Sequence, residues 1–514
     1  MSRCSSQGRH SGFQRFEAIT AGPAAERGRS AAQAEGVFVA TAPGITQWIP
    51  LPYGLLKEFL RDPLGYQLRM RERFGDVFRS RIGPSLVHFL YHPDHVRRVL
   101  YDHQKNYPRG WHYRLLRNLL GNGLVASEGD HWRRQRRLAQ PAFHRQRLSG
   151  YAQVMVEATS GMLARWDRTA VAGSGMDVGV EMSRLTLAIA GLTLFSRDPS
   201  QEADVVGGAF GVLARYLEQR FNHPFTSLPA WVPTASNRRM KDAARTLNGV
   251  VLALIQERRR EGRDHGDLLS MLMQARDEET GEAMTEDQLC SEALTFLVAG
   301  HETTSTALTW TWFLLGSHPS IRQRVREEVG RVLGDRLPTI EDVPHLIATR
   351  MAIEESMRLC PPIWALAREA AQEDEIGGYR IPARSTVIVS PFVTHRHPAF
   401  WEKPEAFDPD RFTPDRLAQR PKGAYFPFLG GPHQCIGNEF AMLEMGLIVA
   451  MVLQRFDVEL LPNQAIHPKA ALTLRPSAPV RVVLKRGSPN QPLQQSGAAL
   501  QFSGVQRPSG GPCC

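Results

Sequence analysis

The chain has few long apolar runs. The longest, over residues 293–299 and 446–453, fall well below the roughly 18 residues needed to span a bilayer, so no membrane anchor is expected. No basic segment followed by an apolar one stands near Met1, which argues against a secretory signal. Cysteine is scarce. Cys4, Cys290, Cys360, Cys435, Cys513 and Cys514 are the whole set, none pairs as C-x-x-C, and half lie close to the termini. A disulfide framework or zinc site is thereby disfavoured, a reducing compartment fits, and a soluble cytoplasmic protein is expected. The net charge is +10, yet no helix-turn-helix, zinc-finger or RNA-binding signature accompanies it, so nucleic acid is set aside as a partner. No G-x-G-x-x-G follows a strand-like run, so no nicotinamide- or flavin-binding domain is expected.

What remains is a chain of 514 residues, 42% apolar and 22% charged, the balance of a globular protein. Residues 1–40 are rich in Ser, Gly, Ala, Gln and Arg, and 487–514 in Gln, Pro, Gly and Ser. Both read as disordered tails around one body, 41–486. Helical periodicity dominates that body, over 145–166, 182–195, 237–260, 285–315, 321–333, 347–359 and 438–456. Strand-like runs are short: 76–82, 86–91, 386–391 and 480–485. The fold class is mainly α with a small β portion.

One cysteine stands apart. Phe428-Leu429-Gly430-Gly431-Pro432-His433-Gln434-Cys435-Ile436-Gly437 sets it in a Gly- and Pro-rich loop just before the helical run that begins at Asn438. Free N–H groups and the dipole at a helix start favour a thiolate, which can ligate heme iron. Gly431 and Gly437 carry no Cβ and would let backbone approach a flat cofactor. Two other readings of the same residues stand beside this one: a buried structural cysteine, and a nucleophile assisted by His433.

Further along and further back lie Trp132 and Arg136, spaced i, i+4; Ala299-Gly300-His301-Glu302-Thr303-Thr304, midway in a long helical run; Glu355 and Arg358, spaced i, i+3 before Pro361-Pro362; and Arg411 in the Trp401–Phe412 stretch. Consecutive threonines beside a glycine are poor helix formers, and Thr303 can bond back to the Ala299 carbonyl.

With the cysteine loop, these runs resemble the cytochrome P450 superfamily. The loop is similar to F-x-x-G-x-[R/H]-x-C-x-G, and the others to W-x-x-x-R, [A/G]-G-x-[D/E]-T-[T/S] and E-x-x-R, all in family order. The resemblance covers roughly residues 41–486. It implies the P450 fold, a long central helix over heme b with a proximal cysteine loop. Cys435 is then the axial ligand, in a loop that also includes Phe428, Gly431 and Gly437. Trp132, Arg136 and His433, with Arg368 as a further candidate, would anchor the propionates. Ala299 and Gly300 would make room for dioxygen, Glu302 and Thr303 would handle protons, and Glu355, Arg358 and Arg411 would form a structural ion network.

The implied activity is that of a monooxygenase (EC 1.14) that hydroxylates or epoxidises a hydrophobic small molecule with O2. Electrons would come from a separate ferredoxin or flavodoxin docking near Arg133, Arg134 and Arg137, and the chain is expected to be a monomer. The pocket lining implied by position includes Trp111, Phe296, Ile363, Trp364 and Leu472. A heme-binding sensor that never turns over, and a hydrolase with a cysteine nucleophile, are the competing classes.

Overall fold

The computed structural model describes residues 40–45, 55–82, 85–110, 113–173, 175–197, 203–222 and 231–487. The compact unit that carries the motifs begins at Ala40. The terminal stretches 1–40 and 487–514 lie outside the described residues, apart from Ala40 and Gly487.

A helix of 32 residues, Glu286–Ser317, organises the fold. Thr285 caps it in a reciprocal box. Its hydroxyl accepts from the Gln288 N–H (3.3 Å), and the Gln288 side chain accepts from the Thr285 N–H (2.9 Å). Pro319 follows its end and starts the next helix, Pro319–Leu333. At 1.5 Å per residue this central helix runs about 48 Å. Its second half is enclosed by the fold: Leu308, Trp310, Trp312, Leu314 and Leu315 are fully buried, and the threonines among them bond back to its own carbonyls. Helices Val178–Phe195, Ala235–Glu261 and Ile347–Leu359 pack along it. Among the described residues Val178–Phe195 is also long and apolar enough to cross a membrane, which the expectation from apolar runs overlooked. It lies mostly buried against the central helix, as a core helix does.

A five-stranded sheet lies to one side, in the order Gly44–Ile45, Val77–Ile82, Ser85–Leu90, Thr386–Val389, Leu366–Glu369. Its register pairs Arg368 with Val387 and Val387 with His88. Side chains alternate across a sheet, so this row shares one face. Phe456–Leu460 pairs antiparallel with Arg481–Arg486. The run ending at 456 therefore leaves the helical state at Arg455, where the pattern Phe456-Asp457-Val458 begins to alternate.

Helices absent from the sequence reading include Pro63–Phe74 and Ala203–Asn222. Gly207, Gly208 and Gly211 weaken the local signal of the second. Packing against Ala235–Glu261 supplies what propensity does not. Helix Arg145–Ala172 stops on Gly173, whose φ of +60° suits a residue without Cβ.

Candidate functional site

The cysteine loop is shaped by its own backbone bonds. Cys435 N–H donates to the Phe428 carbonyl (2.9 Å) and Gln434 N–H to that of Gly431 (3.0 Å). Gly431 sits at φ +67°, and a Cβ there would lie 1.8 Å from the Leu100 carbonyl oxygen. The neighbouring segment Arg98–Asp102 by itself therefore demands glycine at this position. Gly437 is different: its nearest obstacle to a Cβ is Phe143 at 3.7 Å, an ordinary contact.

Helix Asn438–Arg455 starts two residues past Ile436, as expected, and leaves the exposed thiol of Cys435 beside its first turn. Crowding by protein pushes it above the usual thiol value. The Gly437 N–H and the Arg136 guanidinium oppose that push without overcoming it. The thiol is nevertheless exposed, on a groove that it shares with Arg136, Gln434 and Asn438.

Beside the loop a cationic pocket gathers. The His433 ring packs on Trp132, centroids 4.0 Å apart. Burial first, then Arg109, Arg368 and Arg136, pull its pKa down to about 3, which makes it a weak base beside Cys435 and disfavours the nucleophile reading. Arg136 Nη1 donates to the Gln434 carbonyl (2.6 Å), tying its helix, Gly129–Ala139, to the loop. Arg368 is 3% exposed and donates to the Tyr113 hydroxyl (3.2 Å). Arg109 stands over the Tyr113 ring at 5.4 Å, and its own N–H donates to Glu128 (2.9 Å). Crowding by protein raises the pKa of half-buried Tyr113, yet Arg368 and Arg109 outweigh this and hold it below the usual phenol value. Three guanidiniums thus converge on His433 with one carboxylate, Glu128, 3.7 Å from both Arg109 and His433. Arg109 Nε and His433 Nδ1 are buried with no hydrogen-bond partner among the described residues. Unmatched buried donors and surplus positive charge suit a ligand with two carboxylates, as heme has.

Arg109, Tyr113 and Glu128 were not singled out from sequence. An arginine in the otherwise apolar stretch after Tyr107 was the available signal.

On the central helix the Thr303 hydroxyl donates to the Ala299 carbonyl (2.6 Å), and the helix continues unbroken through the bond. Ala299 is exposed although Phe296, Leu297 and His301 around it are buried, and a Cβ on Gly300 would meet nothing within 4 Å. These two residues therefore border open space. Glu302 is less free than expected. Its Oε1 accepts from Thr473 (2.8 Å) and from Arg475 Nε (2.8 Å), so any proton traffic through it must exchange with that ion pair. Phe296 packs on Phe143 at 5.5 Å inside the core, and Trp364 donates to the Ala471 carbonyl (2.9 Å). Ile363 and Leu472 are partly buried, and Trp111 lies outside the described residues.

The ion network closes as expected. Arg358 and Glu355 are both fully buried and joined twice, Nε–Oε2 at 2.6 Å and Nη2–Oε1 at 2.8 Å. Arg411 Nε lies 3.3 Å from Glu355, and Asp408 N–H donates to the same carboxylate (2.9 Å). The remaining Arg358 donors reach the carbonyls of His395, Pro404 and Ala406, so the charges are paired and the strand-poor stretch 395–411 is held in place.

The three arginines of the expected docking patch are each paired with an acid of this chain. Arg137 bonds Asp277 (2.6 Å) and Glu279 (2.7 Å), Arg134 lies 3.4 Å from Asp277, and Arg133 pairs with Asp130. The turn closed by Arg276 and Ala283 folds acidic groups against this helix and neutralises it from within.

Comparison with known proteins agrees with this geometry. Residues 43–484 match the family described as Cytochrome P450. The chain is 37% identical over 426 residues to cyclooctatin synthase of Streptomyces melanosporofaciens, covering 82% of this chain and 91% of that one. It is 33% identical over 456 residues to pentalenene oxygenase of Streptomyces avermitilis, covering 88% and 99%. Its fold is similar to the crystal structure of the cytochrome P450DA heme domain, with a TM-score of 0.79, 29% identity and coverage of 88% and 99%.

Proposed function

The chain belongs to the cytochrome P450 family, and from that premise we propose that Cys435 ligates the iron of its heme, while Thr303, with Glu302, manages protons on the opposite side. The protein is a monooxygenase whose cofactor is heme and which uses a small-molecule substrate, O2 and a redox partner. Bound heme supplies the activation of O2 and the transfer of one oxygen atom to the substrate. The chain's own residues do the rest. Arg109, Arg136 and Arg368 bind the propionates, with Trp132 and neutral His433 completing that wall. Ala299 and Gly300 leave room beside the iron. The Thr303 oxygen, whose proton is committed to the Ala299 carbonyl, accepts a hydrogen bond from water and holds a proton source at that position. Glu302 releases its ion pair with Arg475 to pass protons inward. Glu355, Arg358 and Arg411 are fold residues. Residues 41–486 form the catalytic domain, with 1–40 and 487–514 as tails.

The substrate is a hydrophobic small molecule of the kind for which two relatives are named, cyclooctatin and pentalenene. A ferredoxin or flavodoxin supplies electrons. Its landing site is better placed at exposed His144, Arg145 and Arg147 than at the neutralised arginines. His144 lines a groove of about 200 Å³ together with Arg136, Gln434, Cys435 and Asn438, and Arg145 and Arg147 follow it in the chain. Monomeric action in the cytoplasm fits this picture.

The observation that carries the reading is the convergence of three arginines on His433, two residues before Cys435. The test is the carbon monoxide difference spectrum of the reduced protein. Wild type should give the strongly red-shifted Soret band of a thiolate-ligated heme, and Cys435→Ser should abolish it. A serine variant that keeps the band would remove Cys435 from the iron.

A further inference from the structure

A glycine-rich loop lies on a buried acid of the central helix. Residues 121–128 join helix Tyr113–Leu120 to helix Gly129–Ala139. A Cβ on Gly121 would come within 2.1 Å of Ser291 Oγ, and one on Gly123 within 2.3 Å of Thr295 Oγ1 and 2.6 Å of the Ser291 carbonyl. The backbone is pressed where no side chain fits. A hydrogen bond joins the two layers: Leu124 N–H donates to Glu292 Oε2 (3.1 Å). Glu292 is 1% exposed and Thr295 2%, and both Glu292 Oε1 and Thr295 Oγ1 are buried without a partner among the described residues. Leu120, Leu124, Leu289 and Ala293 surround them with apolar surface. Glu292, Thr295, Ala299 and Thr303 follow one another at helical spacing on one face, with Ala299 about 10 Å beyond Glu292.

We propose that Glu292 is a positioning residue whose carboxyl group clasps residues 121–128 onto the central helix, and that its ionisation releases the loop and opens the approach to the space beside Ala299. With the loop closed, a charge on Glu292 is costly because one N–H is all that solvates it. Burial accordingly raises its pKa from the ordinary 4.5 to about 7, opposed by the Leu124 N–H, and no charged neighbour contributes. The charged groups on adjoining elements are engaged elsewhere. Glu286 on the same helix pairs with Arg259, Arg117 donates to the Ala126 carbonyl, and Arg134 meets Asp277. Asp287 and Cys290, also on this helix, add no shift to Glu292. In the open loop the acid meets water and regains its ordinary value. The closed form is therefore fully favoured below the ordinary value and loses that preference as pH rises toward about 7.

Amide hydrogen exchange of the heme-loaded protein tests this at Leu124. After correction for intrinsic exchange, opening of 121–128 should rise by up to about tenfold per pH unit between about pH 5 and pH 7 and level off above that. Glu292→Gln keeps the acceptor and cannot ionise, so its loop should stay protected throughout. A flat wild-type profile, or a glutamine variant with the wild-type slope, overturns the proposal. If that variant does not fold, wild type decides alone: a pH-dependent opening confined to 121–128 supports the clasp, and a uniform loss of protection across the central helix refutes it. The heme assignment matters only to what the loop uncovers. Exchange is read at the amide itself, so a failure here leaves that assignment standing.

Discussion

The Thr303 hydroxyl has one proton, and the Ala299 carbonyl at 2.6 Å takes it. Its oxygen is left able to accept a hydrogen bond, and the proposed role is to position a water beside Ala299 and Gly300. Thr303→Ala should leave folding and heme content intact, because the helix carries its own backbone bonds. Productive oxygen use should fall by at least about tenfold, with hydrogen peroxide appearing in its place, since a positioned proton donor commonly contributes that much or more. Thr303→Ser should restore coupling. Product formed per reducing equivalent checks this, and tight coupling in the alanine variant would sink the role. This residue was legible because its motif is local. Glu302 was legible as a residue and illegible as a state: Arg475, which binds it, stands 173 positions away and shares no sequence pattern with it. Arg109 was missed for the same reason, since its meaning comes from Arg368 and Tyr113 in other elements.

Among elements, the central helix could be read almost to its ends, because Thr285 and Gln288 announce its start and Pro319 closes its run. The cysteine loop could be read as a loop, but the reason for each glycine could not. Gly431 answers to the Leu100 carbonyl, a contact between segments far apart in sequence, while Gly437 has room around it. Substitution should separate the two. Gly431→Ala meets both a positive φ and a backbone clash, so the loop must move, at a cost of about 1–3 kcal/mol for the dihedral alone. Gly437→Ala meets an ordinary contact with Phe143 and should be milder. Thermal unfolding with heme retention measures both, and equal losses would contradict this account.

Across the molecule, net charge was visible at once and its use was not. The +10 surplus left the partner open, and the arginines expected to dock it, Arg134 and Arg137, are paired in the fold with Asp277 and Glu279. What stays at the surface near the Cys435 groove is the start of helix Arg145–Ala172, with His144, Arg145 and Arg147 exposed. An acidic donor steered there gains encounter rate from a field that salt screens within about 10 Å at 0.1 M. Reversing Arg145 and Arg147 together to glutamate should slow reduction by an acidic ferredoxin about tenfold or more at low salt, and the deficit should shrink as salt rises. Reversing Arg137 should instead leave Glu279 without its partner and set a like charge against buried Asp277, which keeps only Arg134, lowering thermal stability before it alters the salt dependence of reduction. Stopped-flow reduction at several ionic strengths, beside a melting curve for each variant, distinguishes the two faces. Equal rates for wild type and the Arg145/Arg147 double variant at low salt would move the docking surface elsewhere.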